Sequence, residues 1–215
     1  MSFKRGKKKT VHQNREHFLS TNRMKIDQLV GAELIHGNKI AVVGCAEIGR
    51  GSKSNNWIKG VDGLVTSEKG ILLSTTHADC LPVVLYDPNQ KVIGQAHCGW
   101  RGLHAGIIPE LIKTILNHSH SDSEDLHAWI GPGICPMCYI VDNDVANKFP
   151  SKFVKCISGK LYLDLFNFAI SDLINQGITT DNITLSGICT SCDASYSSFR
   201  RDGNGFNAMI LVTGL

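Results

Sequence analysis

The chain has 215 residues, 42% of them hydrophobic and 19% charged, with a formal net charge of +3. That balance excludes a disordered chain, and the length suits one domain whose core needs no crosslinks. No apolar run reaches membrane-spanning length and no charged start followed by an apolar stretch marks a signal peptide, so a cytoplasmic protein with no membrane partner is expected.

Residues 1–14 (MSFKRGKKKTVHQN) are basic and lack apolar periodicity, which predicts a flexible tail ahead of a domain over residues 15–215. No aromatic or RNA-binding pattern accompanies the lysines, so no nucleic-acid partner is expected. Val11 to Leu29 carries a weak helical pattern. Ala32 to Ile35 and Lys39 to Val43 read as strands flanking His36-Gly37-Asn38, where His36 by itself reads as a turn residue. Gly49 to Lys59 (GRGSKSNNWIK) is polar and rich in Gly and Ser, which predicts a mobile, lid-like loop. Asp62 to Thr66 then leads through a turn at Glu68-Lys69-Gly70 to a buried strand at Ile71-Leu72-Leu73.

The central stretch runs TTHADCLPVVLYDPNQKVIGQAHCGWRG from Thr75 to Gly102. Pro82 to Tyr86 and Lys91 to Ala96 have strand length and composition, and Asp87-Pro88-Asn89-Gln90 between them has tight-turn chemistry. A hairpin there brings Cys80, just before the first strand, beside His97, just after the second. A neighbouring thiol and imidazole serve either as metal ligands or as nucleophile and base.

Leu103 to Asn117 repeats apolar residues at helical spacing, and Gly99, Gly102 and Gly106 allow close backbone approach where strand gives way to helix. Leu126 to Ile130 reads as a strand ending in the Gly131-Pro132-Gly133 turn. Asp142 to Phe149 and Asp164 to Gln176 read as helices, the second terminated by Gly177. Asn182 to Ile188 and Ala208 to Val212 close the chain as strands. Helices interleave with hairpin-joined strands, so the expected fold is α/β (α+β): a mixed β-sheet with hairpins and packed helices in a single compact domain.

Eight cysteines are present. A cytosolic chain with its own core has no need of disulfides. Cys135-Pro-Met-Cys138 and Cys189-Thr-Ser-Cys192 are both C-x-x-C pairs, the spacing of a four-thiolate zinc site, yet neither sits on an obvious zinc knuckle. Free thiols packed as small apolar residues are the expectation for them.

Ala78-Asp79-Cys80-Leu81-Pro82, followed by His97-Cys98-Gly99-Trp100-Arg101-Gly102, resembles the multicopper polyphenol oxidase (laccase domain) family, whose pattern is ADC(L/V)P…AHAGWRG. Ile35-His36-Gly37, Asp62 to Thr66, Ile130-Gly131-Pro132, Cys189-Thr190 and Phe199-Arg200-Arg201-Asp202 match further family motifs. The family is also described as purine nucleoside phosphorylases with adenosine deaminase activity. The resemblance places zinc ligands on His36, Cys80 and His97, and turns His36 from turn residue into ligand. Two imidazoles and a thiolate leave the fourth tetrahedral position open, which is catalytic usage.

The resemblance thus implies a zinc-dependent purine nucleoside enzyme acting on a nucleoside and phosphate, as monomer or homodimer. Activities would be phosphorolysis of adenosine, inosine or methylthioadenosine, and adenosine deamination. Arg101, close behind His97, is the candidate anion or substrate contact, and Asp79 the candidate acid/base or ligand-orienting group. His77 stands as a possible further pocket donor, while Arg200 and Arg201 either reach the pocket or hold the last strand. Copper is the other possible ion, since His and Cys donors suit it. A four-copper oxidase needs many paired histidines, and among nine only His118-Ser119-His120 has that look, so copper would give weak polyphenol oxidation. Further alternatives are a metal-free cysteine hydrolase or deamidase using Cys80 and His97, a peptidoglycan-precursor editing hydrolase, and a non-catalytic binding module. The chain departs from the family in Cys98, which stands for an alanine, and in a Lys-rich start with no expected counterpart to the family's N-terminal arginine.

Overall fold

The computed structural model describes Ser2 and residues 6–215. Of the expected tail, residues 1 and 3–5 lie outside the described residues. Helix α1 (Lys8–Thr21) begins inside that tail and stops well short of Leu29; Val11, Arg15 and Leu19, at successive turns, form its buried face. The strands that follow are β1 (Leu29–Gly31), β2 (Ile40–Val42), β3 (Gly63–Thr66), β4 (Leu72–His77), β5 (Leu81–Asp87) and β6 (Val92–Cys98). Next come α2 (Trp100–His104), α3 (Ile107–Ser119), β7 (His127–Ile130), β8 (Ile140–Val141) and α4 (Asn143–Ala146). The chain ends with β9 (Val154–Ile157), β10 (Lys160–Leu163), α5 (Leu165–Asn175), β11 (Ile183–Leu185), α6 (Phe199–Asp202) and β12 (Met209–Gly214).

A six-stranded mixed sheet of order β11-β7-β5-β6-β3-β2 carries the fold, with a three-stranded sheet β1-β4-β12 and an antiparallel trio β8-β10-β9 beside it. At its centre is the β5–β6 hairpin, whose antiparallel register pairs Pro82 with His97 and Leu81 with Cys98. Asp87 makes the turn: its Oδ1 accepts from the Asn89 and Gln90 amides at 2.7 and 3.0 Å. Alternation along β5 and β6 then sorts the core. Val83, Leu85, Val92 and Ala96 pack with Leu111, Ile112 and Ile115 of α3, while Val84 and Ile93 pack with Val30 and Leu73 of the small sheet. His97 has the parity of Ile93 and therefore faces the small sheet, whereas Cys98 is buried beneath the helices.

The predicted helix over 103–117 is two helices. Gly106 has φ +81°, a left-handed value that ends α2 and resets the chain before α3. The lid-like loop is also different from expectation. Arg50 Nη2 donates to the Trp57 carbonyl at 2.9 Å, Asn56 Oδ1 accepts from the Gly51 amide at 2.8 Å, and Ser52, Trp57 and Ile58 are buried. Its polar residues satisfy the loop's own backbone, and its apolar ones pack inward. Of the predicted strand at Ala32–Ile35, Ala32 makes only an isolated parallel bridge to Ile58, and Ile35 already belongs to a loop around the Asp62 carboxylate.

Candidate metal centre

His36, Cys80 and His97 converge: one donor atom from each lies within 4.8 Å of the other two. Three segments bring them there. His97 rides on β6, with the neighbouring strand β5 beginning one residue after Cys80. Asp79, between β4 and β5, adopts φ +80°, which turns the chain sharply enough to present the sulfur. His36 sits at φ +60° in a loop folded around Asp62. The buried Asp62 carboxylate accepts from the amides of Ile35, His36 and Gly37, at 3.1, 2.8 and 2.7 Å. Its own carbonyl accepts from the His97 amide at 2.7 Å. A single aspartate therefore fixes two of the three ligands relative to each other, a role the sequence signalled only as the first letter of a family motif.

The donor chemistry fits a cation. His97 Nδ1 lies 2.9 Å from the Thr76 carbonyl, so the ring proton sits on Nδ1 and Nε2 is left as a lone pair. That Nε2 is buried and without a hydrogen-bond partner, which is costly unless an ion occupies the space before it. Burial, with His77 and His36 nearby, holds the His97 pKa well below the ordinary range and keeps the ring neutral. Burial, then Asp79 and Asp62, pushes the Cys80 thiol up to about 12. A cation reverses that balance and a thiolate follows. Close approach is built in as well: a Cβ on Gly99 would stand 2.7 Å from the Cys80 sulfur.

His77 is not a further donor. Thr213 Oγ1 donates to Gln95 Oε1 at 2.7 Å and Gln95 Nε2 donates to Thr75 Oγ1 at 3.0 Å. The Thr75 proton thus goes to His77 Nε2, 2.8 Å away, and His77 Nδ1 donates to the Cys80 carbonyl at 3.3 Å. Both ring nitrogens are engaged, and the ring stacks on His97 at 4.8 Å between centroids. Burial lowers its pKa to about 4, so it stays neutral.

The centre opens on a cavity of about 340 Å³ walled by Trp57, Phe199, Phe206 and Leu34, with Arg15 among its lining residues. Arg15 is buried, donates from Nη1 to the Gly51 carbonyl at 2.7 Å, and keeps its charge near neutral pH although burial lowers its pKa to about 10. Sequence reasoning missed it because a charged residue in a weakly periodic helix carries no local mark of burial. Neither residue expected to be catalytic lines that cavity, yet the charges of both act on the Cys80 thiol. Arg101 is exposed, outside the cavity lining, with its guanidinium 4.2 Å from the Trp100 ring centre. Asp79 turns away from the cavity: Oδ1 accepts from Thr190 Oγ1 at 2.7 Å and Oδ2 from the Arg200 amide at 2.6 Å. It positions Cys80 and the C-terminal loop. Arg201 holds that same loop, donating to the carbonyls of Thr190 and Tyr196 at 2.7 Å each.

Residues 2–213 match the family of multi-copper polyphenol oxidoreductase laccase proteins. The chain belongs to this laccase-domain family. Purine nucleoside phosphorylase YlmD of Bacillus subtilis is 30% identical over 214 residues, covering 95% of this chain and 77% of the relative. Purine nucleoside phosphorylase of Deinococcus radiodurans is 36% identical over 158 residues, covering 72% and 61% respectively. The crystal structure of YlmD from Geobacillus stearothermophilus superposes with a TM-score of 0.95 at 31% identity, covering all of this chain and 83% of that one. Among the described residues, no helix is long and apolar enough to cross a membrane.

Proposed function

We propose that this laccase-domain protein is a zinc-dependent purine nucleoside enzyme, phosphorolysing adenosine, inosine or methylthioadenosine and deaminating adenosine. The observation that carries the reading is the buried, partnerless His97 Nε2 facing Cys80 and His36 at the end of an aromatic-walled cavity. The relatives named purine nucleoside phosphorylase support it. A zinc ion held by His36, Cys80 and His97 supplies a Lewis acid that activates water near neutral pH.

The protein's own groups do the rest. Trp57, Phe199 and Phe206 line the cavity and give a purine an aromatic wall to pack against. Arg15 is a buried cation in the cavity lining to which we assign phosphate contact, because a charge-assisted hydrogen bond gains strength away from water. Arg101, whose charge acts on the Cys80 thiol, is the second anion contact in this reading. The neutral His77 ring keeps the floor of the site uncharged and holds the Cys80 carbonyl. A metal-free cysteine hydrolase suits these surroundings less well, because burial and the Asp79 and Asp62 carboxylates outweigh the Arg101 charge that favours a Cys80 thiolate.

The test is turnover of adenosine, inosine and methylthioadenosine with and without phosphate, together with zinc content, for the full chain and Cys80→Ser. Loss of a ligand is expected to cost more than the roughly 10–100-fold typical of its outer partners. Equal turnover by the two proteins would end this reading. His36→Ala separates it from the thiol hydrolase: the metal enzyme loses ion and activity together, whereas a hydrolase keeps its reactivity toward iodoacetamide.

A further inference from the structure

A second sulfur cluster stands apart from the cavity lining. The sulfurs of Cys135, Cys138, Cys189 and Cys192 all lie within 4.8 Å of one another, contrary to the expectation of independently packed thiols. Cys135 and Cys138 flank a tight turn just after β7, and Cys189 and Cys192 flank another just after β11. The parallel pairing of β7 with β11 continues beyond the strands through the Gly133–Cys189 bridge, with the Thr190 amide donating to the Gly133 carbonyl at 3.0 Å. Two C-x-x-C turns are therefore laid side by side by the sheet itself. The Cys135 amide donates to Cys189 Sγ at 3.2 Å, a contact that favours a thiolate sulfur.

We propose that Cys135, Cys138, Cys189 and Cys192 bind one zinc ion as four thiolates, a structural site separate from the His36/Cys80/His97 centre. Zinc–sulfur bonds of about 2.3 Å in a tetrahedron set the sulfurs roughly 3.8 Å apart. The 3.3 Å between Cys138 and Cys192 and the 4.8 Å limit on the cluster bracket that value. A disulfide would need sulfurs about 2.05 Å apart, and all eight cysteines are free thiols. On binding, four S–H protons leave to solvent as four S–Zn bonds form, with no redox change. All four positions are filled by protein, so the ion holds structure and has no place for substrate.

What it holds follows from the chain. Residues 186–208 contain no strand, yet they carry Phe199 and Phe206 of the cavity wall and the Thr190 hydroxyl that binds Asp79. An ion gripping Cys189 and Cys192 anchors the start of this segment to the Cys135–Cys138 turn. The cavity wall thereby gains a crosslink that apolar packing alone supplies poorly in so irregular a loop.

The test is metal stoichiometry in the full chain purified under reducing conditions. About two zinc ions per chain are expected, falling to about one in His36→Ala and about one in Cys192→Ser. Cobalt loaded into His36→Ala should show the intense sulfur-to-metal charge-transfer and visible bands of a tetrathiolate site. The His36→Ala measurement leaves all four thiols in place and stands even where Cys192→Ser fails to fold. A metal-free His36→Ala protein, or the four cysteines recovered as disulfides, would overturn the proposal. A full chain holding about one zinc, kept by His36→Ala and absent from Cys192→Ser, would support this site while sinking the three-ligand centre, so the two failures are distinguishable.

Discussion

The two sulfur-bearing centres solve opposite problems with similar atoms. The His36/Cys80/His97 centre sits at strand ends between two sheets, beside a cavity, and supplies three donors. The four-cysteine cluster sits on loops, is absent from that cavity's lining, and offers four. On the proposed readings, donor number and surroundings together separate chemistry from scaffolding: three donors beside a cavity would leave a corner for substrate, and four would leave none. The supporting residues differ in kind as well. A buried carboxylate, Asp62, orients the open centre through three backbone amides, whereas paired strands and backbone bridges orient the closed one. Asp79 joins the regions, since it precedes Cys80 and its carboxylate holds Thr190, the neighbour of Cys189.

Substitutions can sharpen or break this contrast. The largest effect is expected at Asp62→Asn, which removes the charge and one acceptor from the His36 loop. Zinc affinity at the open centre should fall about 10–100-fold, read by chelator competition, with turnover falling alongside and the four-cysteine ion untouched. Parallel loss of both ions would show that Asp62 supports the fold at large. Asp79→Asn is expected to act on both regions more gently. One of its two buried hydrogen bonds is lost, costing about 1–3 kcal/mol of stability in denaturant unfolding. As a positioning residue it should leave the pH dependence of kcat unmoved, and a displaced pH profile would restore it as an acid/base.

The smallest effect belongs to Asp172, a ligand at neither centre. Burial raises its carboxyl pKa to about 6, so folding disfavours the charged form relative to the unfolded chain. Above the ordinary carboxylate range the folded state therefore bears a penalty that grows until the pH passes about 6. Asp172→Asn should raise Tm by about 1–3 °C at pH 8. The gain should vanish near pH 4, with both ions retained throughout. A variant no more stable at pH 8 would contradict that burial cost.

Much of the open centre was legible before any coordinates. Turn chemistry at Asp87 to Gln90 and the apolar runs beside it specify a hairpin, and a hairpin must bring Cys80 to His97 because its register is fixed by its turn. His36 was legible only through resemblance, since nothing local in Ile35-His36-Gly37 distinguishes a ligand from a turn. For Asp79 and Arg101, adjacency in the chain to a ligand says nothing about which way the next side chain points, and neither joins the cavity lining. In the Gly49–Lys59 loop composition reports polarity but not that Arg50 and Asn56 bond the loop's own backbone.

By itself, then, the sequence determined the hairpin, the helical faces and the thiol–imidazole pair, all set by interactions within a few residues and by the two-residue period of strands. Tertiary structure alone decided that Arg15 enters the cavity, that Asp62 gathers the His36 loop, and that two distant C-x-x-C turns meet at four sulfurs. Those placements depend on which strands lie next to which, here β7 against β11 and β6 against β3. Strand neighbourhood is chosen by burial of the whole core rather than by any local run of residues.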